Sequence, residues 1–278
     1  MTNPAHSTAA DAVSRDLEIR DVPKLAAFAP AEWQVALDAV LLQHIGRAYF
    51  HARVITAAEG IAAVGHGIST GSTGWIGNII VRPDARNRGL GSRITADLIE
   101  VLRSRRCSTL LLIATQLGEP VYRKLGFRVT GEYVFLRMPA LAPMADPSIR
   151  RLQLSDEDEV CNLDAAATGE SRRELLEPHI GSGWGHVGPG GALDGFFLPS
   201  FGGGFVMASQ PTAGLALLRF KHGLYPNSNV VPAGNRAALE FLRTHGAEET
   251  ARAPRMAWGD DSAWRQEMIF GRAAGYCG

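Results

Sequence analysis

Residues 75–106 constrain this chain more than any other stretch. A short apolar strand, Trp75 to Val81, runs into Arg82-Pro83-Asp84-Ala85-Arg86-Asn87-Arg88-Gly89-Leu90-Gly91-Ser92 and straight into a helix. The helix is read from periodicity: Ile94, Leu98, Val101 and Leu102 fall on one face, with Arg93, Asp97, Glu100 and Arg103 on the other. Gly89 and Gly91 carry no Cβ, so the N–H groups of the helix start can point at one anion. With the helix dipole and with Arg86 and Arg88 alongside, the natural guest is a diphosphate. The loop lacks the Gly-Lys-Ser/Thr ending of a P-loop and the G-x-G-x-x-G spacing of a dinucleotide fold.

Downstream, Ser108 to Ala114 is an apolar run of the right length for a buried strand, expected to lie parallel to the one ending at Val81. Gly118-Glu119-Pro120 opens a short helix, and Val121-Tyr122-Arg123-Lys124-Leu125-Gly126-Phe127 closes it at a glycine. Arg86-x-x-Gly89-x-Gly91 between strand and helix, followed by Tyr122-x-x-Leu125-Gly126-Phe127, resembles the acetyl-CoA signature of the GNAT superfamily of N-acetyltransferases. The resemblance covers residues 17–139. It implies acetyl-CoA as co-substrate, no metal, and a diphosphate held by Arg86, Asn87, Arg88, Gly89, Leu90, Gly91 and Ser92. It implies that the central strand and its parallel neighbour splay apart. Ile79, Ile80 and Val81 then pair with the pantetheine arm, and a backbone N–H near Ile79 faces the thioester oxygen. It also implies Tyr122 as the general acid for the leaving thiolate; by itself Tyr122 reads as a half-buried helix tyrosine.

The acceptor side is less defined. An alkyl ammonium with a pKa near ~10.4 must lose a proton before attack, at a cost of roughly 4 to 5 kcal/mol at neutral pH. Trp75 to Val81 contains no Glu or Asp, and Asp84, past the strand, reads as a turn-shaping residue. His66, His44, Gln116 and Glu119 are the candidate bases, acting directly or through water; alternatively the acceptor is a weakly basic amine. Cys107 precedes a buried strand and reads as core, which disfavours an acetyl-cysteine route. Arg82, Arg93, Arg123 and Lys124 read as a solvated rim.

Lysine plus arginine equals aspartate plus glutamate at 28 each, so no net positive field attracts nucleic acid or anionic lipid. Cys107, Cys161 and Cys277 are too few and too scattered for a disulfide framework or a zinc site. Met1 to Asp16 is polar and alanine-rich, neither a signal peptide nor an anchor, and is expected to fray. A reducing cytoplasm fits these features.

Leu17 to Val22 alternates like a strand, Lys24 to Phe28 and Ala31 to Arg47 read as helices, and Tyr49 to Ala57 and Gly60 to Ser69 as antiparallel strands. A strand from Arg128 to Met138 is expected to complete a first domain, residues 17–139. Pro139, Pro143 and Pro147 break regular structure, giving a linker over residues 140–147. Residues 148–278 repeat the same order in weaker form, with Ile149 to Leu154 as the opening strand. The expected fold is thus α/β in class, an α+β mixed sheet flanked by helices, in two tandem GNAT-like domains. Between strand and helix the repeat carries Ser209-Gln210-Pro211-Thr212-Ala213-Gly214, with no Arg-x-x-Gly-x-Gly, so this domain is expected to bind no CoA. Its Asp164-x-x-x-x-Gly169-x-x-Arg172 and Val231-Pro232-x-x-Asn235 runs resemble the C-terminal domain of a bacterial subgroup of tandem GNAT proteins.

The expected activity is transfer of an acetyl group from acetyl-CoA to a primary amine of a small metabolite, by direct attack in a ternary complex, in a monomer or homodimer. A protein acetyltransferase and a catalytically silent acyl-CoA sensor are the alternatives.

Overall fold

The computed structural model describes residues 12–30, 33, 36–225 and 228–278. The chain divides into two compact units, Met1–Arg128 with Ala257–Gly259, and Val129–Met256 with Asp260–Gly278.

The first unit carries strands β1 (Val13–Asp16), β2 (Phe50–Ala57), β3 (Gly60–Thr70), β4 (Thr73–Val81) and β5 (Thr109–Ile113), adjacent in that order. Pairing is antiparallel from β1 to β4 and parallel between β4 and β5, as the apolar run after the helix predicts. Among the described residues, α1 (Leu37–His44), α2 (Leu90–Ser104) and α3 (Glu119–Lys124) accompany the sheet. The buried stripe of α2, Leu90, Ile94, Leu98 and Leu102, packs the helix against β2, β3 and β4.

Its N-terminal part differs from the sequence expectation. The edge strand is Val13–Asp16, and the alternating segment after it forms a 3-10 helix, Ile19–Leu25, in place of a strand over Leu17 to Val22. The cause is Asp21. Its carboxylate accepts from Glu18 N at 3.0 Å and from both terminal nitrogens of Arg15 at 2.6 and 2.9 Å, which closes the chain into a turn. Residues 1–11 of the expected frayed N-terminus lie outside the described residues, while Val13–Asp16 is paired rather than frayed. Of the expected helix from Ala31 to Arg47, residues 31, 32, 34 and 35 lie outside the described residues, and α1 spans Leu37–His44. The expected helix from Lys24 to Phe28 is the end of the 3-10 helix followed by a turn.

In the second unit, β13 (Ile269–Gly271), β10 (Phe205–Ala208), β9 (Leu193–Leu198), β8 (Trp184–Val187) and β7 (Ile149–Arg151) form one sheet in that order. Strands β12 (Glu248–Gly259, in this unit up to Met256), β6 (Arg128–Arg137, in this unit from Val129) and β11 (Ser228–Pro232) are neighbours in that order. The helices are α4 (Glu157–Thr168), α5 (Arg173–Ile180), α6 (Pro211–Leu224) and α7 (Arg236–Thr244). β6, expected to complete the first domain, pairs antiparallel with β11, Val134 opposite Val231. Val134, Leu136 and Met138 accordingly enter the core formed by Phe197, Val206, Leu217, Val231 and Leu242.

One motif occurs in both units. Arg15-x-Leu17-Glu18-x-x-Asp21 reappears as Arg150-x-Leu152-Gln153-x-x-Asp156. In the second copy Asp156 accepts from Arg150 at 2.7 and 2.9 Å and from Gln153 N at 2.7 Å. A 3-10 helix, Leu154–Asp156, again follows, so the strand expected through Leu154 ends at Arg151. The two units open with the same hook.

Candidate active site

The parallel pairing of β4 and β5 extends only from Thr73 opposite Thr109 to Trp75 opposite Leu111. β4 continues to Val81, and among the described residues its edge beyond Trp75 has no strand partner on that side. The expected splay is present. Val81 leads into a 3-10 turn, Pro83–Ala85, fixed by the Arg82 Nε–Asp84 ion pair at 2.6 Å. Arg82 also donates to the carbonyl oxygens of Glu59 and Ile61, each at 3.2 Å, which ties the turn to the β2–β3 hairpin. Asp84 therefore shapes the turn.

Asn87 and Gly89 take φ of 61° and 76°, curling the loop into the start of α2. Gly89 is the N-cap and supplies no side chain to the first-turn N–H groups, which have no acceptor within the helix. A Cβ at Gly89 would meet nothing within 4 Å; it would project into open space at the helix end. This is a cradle of the kind an anion fills. Beside it, Arg86 Nε donates to Val81 O at 3.2 Å and Arg88 Nη2 to Asp84 O at 3.1 Å, so both exposed cations are folded onto the loop. Leu90 is buried under the first turn, and Gly91 and Ser92 are partly exposed. Ile80 faces the core, while Ile79 and Val81 are partly exposed. Gly91 is not forced by the protein, because a Cβ there would be 3.7 Å from Val81 Cγ2, an ordinary contact.

Tyr122 lies on α3, which packs against α2. It is buried rather than half-buried, with its ring edge-on to Phe127 at 6.1 Å. Gly118 makes room for it: a Cβ there would be 2.7 Å from Tyr122 Cε2. Burial pushes the phenol up to about 12, so the hydroxyl keeps its proton and is available as a donor.

The candidate bases fare differently. His66 is fully buried, and burial lowers its pKa to about 3, too acidic to take a proton from an ammonium. Its Nε2 is 3.0 Å from Asn78 Nδ2 and its ring is 5.0 Å from that of Phe50. His44, also buried, contacts Tyr49 Oη at 3.2 Å and stacks on the same Phe50. Glu119 is paired with Arg123 at 2.7 Å, and Gln116 is exposed after β5. The Cys107 thiol is buried, pushed up in pKa, and directed at Thr73 O at 3.4 Å. Asn78, at φ 49° inside a strand, carries no signal in the sequence beyond being an asparagine, a type that tolerates this region.

In the second unit, β10, Ser209-Gln210, α6 and β11 follow one another as β4, the cradle, α2 and β5 do in the first. Here β13 is present. It runs antiparallel to β10, Val206 opposite Gly271 and Met207 opposite Ile269, and Arg272 N donates to Val230 O of β11 at 2.7 Å. Asn229 Nδ2 donates to Phe270 O, and Asn235 Nδ2 to Glu267 O and Ile269 O, all at 3.0 Å. Asn235 also caps α7 through Ala238 N. Asp164 and Arg172 form a fully buried two-pronged ion pair at 2.9 and 2.5 Å. The runs that contain these residues thus have structural work in the fold.

A sequence model of the Acetyltransferase (GNAT) family matches residues 22–127. Glucosamine 6-phosphate N-acetyltransferase of Trypanosoma brucei brucei is 39% identical over 57 residues, a match covering 20% of this chain and 39% of that protein. A candidate acetyltransferase from Pyrococcus horikoshii superposes over 100% of this chain and 99% of its own, with a TM-score of 0.80 at 17% identity. A GCN5-related N-acetyltransferase from Sphaerobacter thermophilus gives 0.67 at 17% identity, over 91% of this chain and 97% of its own. A tandem GNAT protein from the clavulanic acid biosynthesis pathway gives 0.59 at 16% identity, over 89% and 98%. The match to the GNAT acetyltransferase family thus falls on the segment that carries the signature, and the fold is shared with GNAT proteins, a tandem one among them. Among the described residues, no helix is long and apolar enough to cross a membrane.

Proposed function

We propose that the chain transfers an acetyl group from acetyl-CoA to a primary amine of a small metabolite, by direct attack in a ternary complex. The observation that carries this reading is the gap between β4 and β5, which opens where α2 presents an uncapped N-terminus. Acetyl-CoA, when bound, supplies an activated thioester. In this reading Arg86 to Ser92 hold its diphosphate and Ile79, Ile80 and Val81 offer main-chain groups to its pantetheine arm. The Ile79 N–H stabilises negative charge developing on the acyl oxygen. Tyr122 donates a proton or hydrogen bond to the departing sulfur.

The acceptor enters deprotonated or weakly basic. His66 is too acidic and Asp84 and Glu119 are tied to arginines, which favours an amine whose basicity is lowered by neighbouring oxygens. The similarity to a glucosamine 6-phosphate N-acetyltransferase points the same way. The buried Cys107 supports direct transfer over an acetyl-cysteine route. Thiol release from acetyl-CoA in the presence of a pooled set of primary amines, with mass detection of products, tests the proposal. Acetylation of amino sugars or amino-acid-like amines is expected. Acetyl-CoA binding with no turnover across the pool would favour a sensor, and acetylation of peptides alone a protein acetyltransferase.

A further inference from the structure

We infer that His66 and Asn78 are positioning residues that hold the backbone donor of the acyl site, a role that rests on the acetyl-transfer reading above. The pairing of β3 with β4 passes from His66 opposite Gly77 to Val64 opposite Ile80. Asn78 and Ile79 thus face the single residue Gly65, the arrangement of a β-bulge, which leaves one residue outside the ladder. This occurs on the stretch of β4 whose other edge is unpaired.

Both sides of the bulge are fixed. Asn78 takes φ 49°, and its Nδ2 donates to His66 Nε2 at 3.0 Å. His66 is fully buried, tilted against Phe50 and kept neutral by burial; facing the Asn78 Nδ2 donor, its Nε2 serves as acceptor in the tautomer that carries the proton on Nδ1. On the opposite face, Ile79 Cδ1 occupies the space a Cβ on Gly65 would take, with Leu98 Cδ1 3.2 Å from that point. The peptide N–H between Asn78 and Ile79 is held from both ends. An unsupported asparagine in a left-handed strand position would leave that N–H to swing. A donor to an acyl oxygen works best when its direction is fixed in advance.

Asn-Ile occurs once in the chain, so labelling the Asn carbonyl carbon and the Ile nitrogen isolates the Ile79 amide by NMR. In the full-length protein this amide proton is expected to shift further with acetyl-CoA than with CoA, because only the former carries the acyl oxygen. His66→Phe keeps an aromatic ring and removes the acceptor; the acetyl-specific shift should fall to less than about half, with CoA affinity changed less than about twofold. His66→Gln, which restores an acceptor, should recover it. An undiminished acetyl-specific shift in folded His66→Phe overturns the assignment, as does equal loss in His66→Gln. If His66→Phe does not fold, Asn78→Ala decides by calorimetry, where the ratio of acetyl-CoA to CoA affinity should drop about threefold or more. An unchanged ratio overturns the inference. A wild-type protein that binds neither nucleotide refutes the acetyl-transfer reading itself, a result distinct from both.

Discussion

The two units share an opening hook and a strand–loop–helix–strand core, yet they treat the space beside the central strand in opposite ways. In the first, β4 and β5 part after Trp75 and Leu111, and the helix beyond starts at a glycine with no cap. In the second, β13 pairs with β10 and bonds to β11, and the helix starts at Pro211 after a loop without a cation. The lesson is that the two units differ in main-chain pairing as well as in signature residues. Main-chain groups buried beside a central strand must find partners, and in the second unit the chain supplies them itself.

The largest expected effect on ligand affinity is at the first cleft. Gly89→Glu puts a carboxylate on the N–H groups of α2 and repels a diphosphate, so acetyl-CoA affinity should fall by about 100-fold or more. Gly89→Ala, which shares the strain of a side chain at φ 76° but carries no charge, should lose far less. Equal calorimetric affinity of Gly89→Glu and wild type would remove the distinction between the two helix starts.

The second cleft is probed by Phe270→Ala. Phe270 is fully buried in the core of the second unit, and its loss should cost about 3–5 kcal/mol of that unit's stability. Acetyl-CoA should still bind at one site per chain with unchanged affinity. A second site in the wild-type protein would show that β13 does not replace a ligand. Residues 148–278 alone lack Val134, Leu136 and Met138 and should not fold cooperatively; a sharp urea transition would break that argument.

Tyr122→Phe retains the packed ring and removes the donor. Turnover should drop by about 10²-fold with little change in acetyl-CoA affinity. Near-normal turnover would leave Tyr122 as packing against Gly118 and Phe127 alone.

The smallest effect distinguishes the units by pH. Burial lowers Lys221 in the second unit from its ordinary 10.5 to about 7, while its Nζ donates to Gly204 O at 2.9 Å and Asn229 Oδ1 at 2.7 Å. Between those values the unfolded chain holds the extra proton, so stability rises with pH through that window. From pH 7 to 9 the gain should be about 2 kcal/mol by urea unfolding. Lys221→Met should flatten this slope. His66 in the first unit is lowered from 6.5 to about 3, and its contribution rises only between those values, so it adds nothing above neutrality.

How much of this was legible in the sequence follows from what each feature depends on. The cradle, α2, β5 and α3 depend on glycine positions and apolar spacing within one segment, and they are where periodicity puts them. The segment Leu17 to Val22 alternates, but a single carboxylate, Asp21, binds Arg15 and Glu18 N and turns it into a 3-10 helix. β13 is three residues long, and its pairing with β10 bridges more than sixty intervening positions, so no local pattern announces it. The Asn78–His66 contact arises from a one-residue slip between strands, which period-two alternation does not record. The fate of β6 turned on which unit offers the better apolar partners for Val134, Leu136 and Met138, a choice made between surfaces far apart in the chain.

The placement of β13 has a further consequence for solubility. Strands such as β10 and β11, if left parted with nothing between them, expose rows of unpaired amides and carbonyls that can recruit a strand from another molecule. By laying residues 269–271 into that space, anchored through Asn229 and Asn235, the chain seals an adhesive edge inside itself. Weakening those two asparagines would therefore be felt first as self-association and only afterwards, if at all, as a change in catalysis.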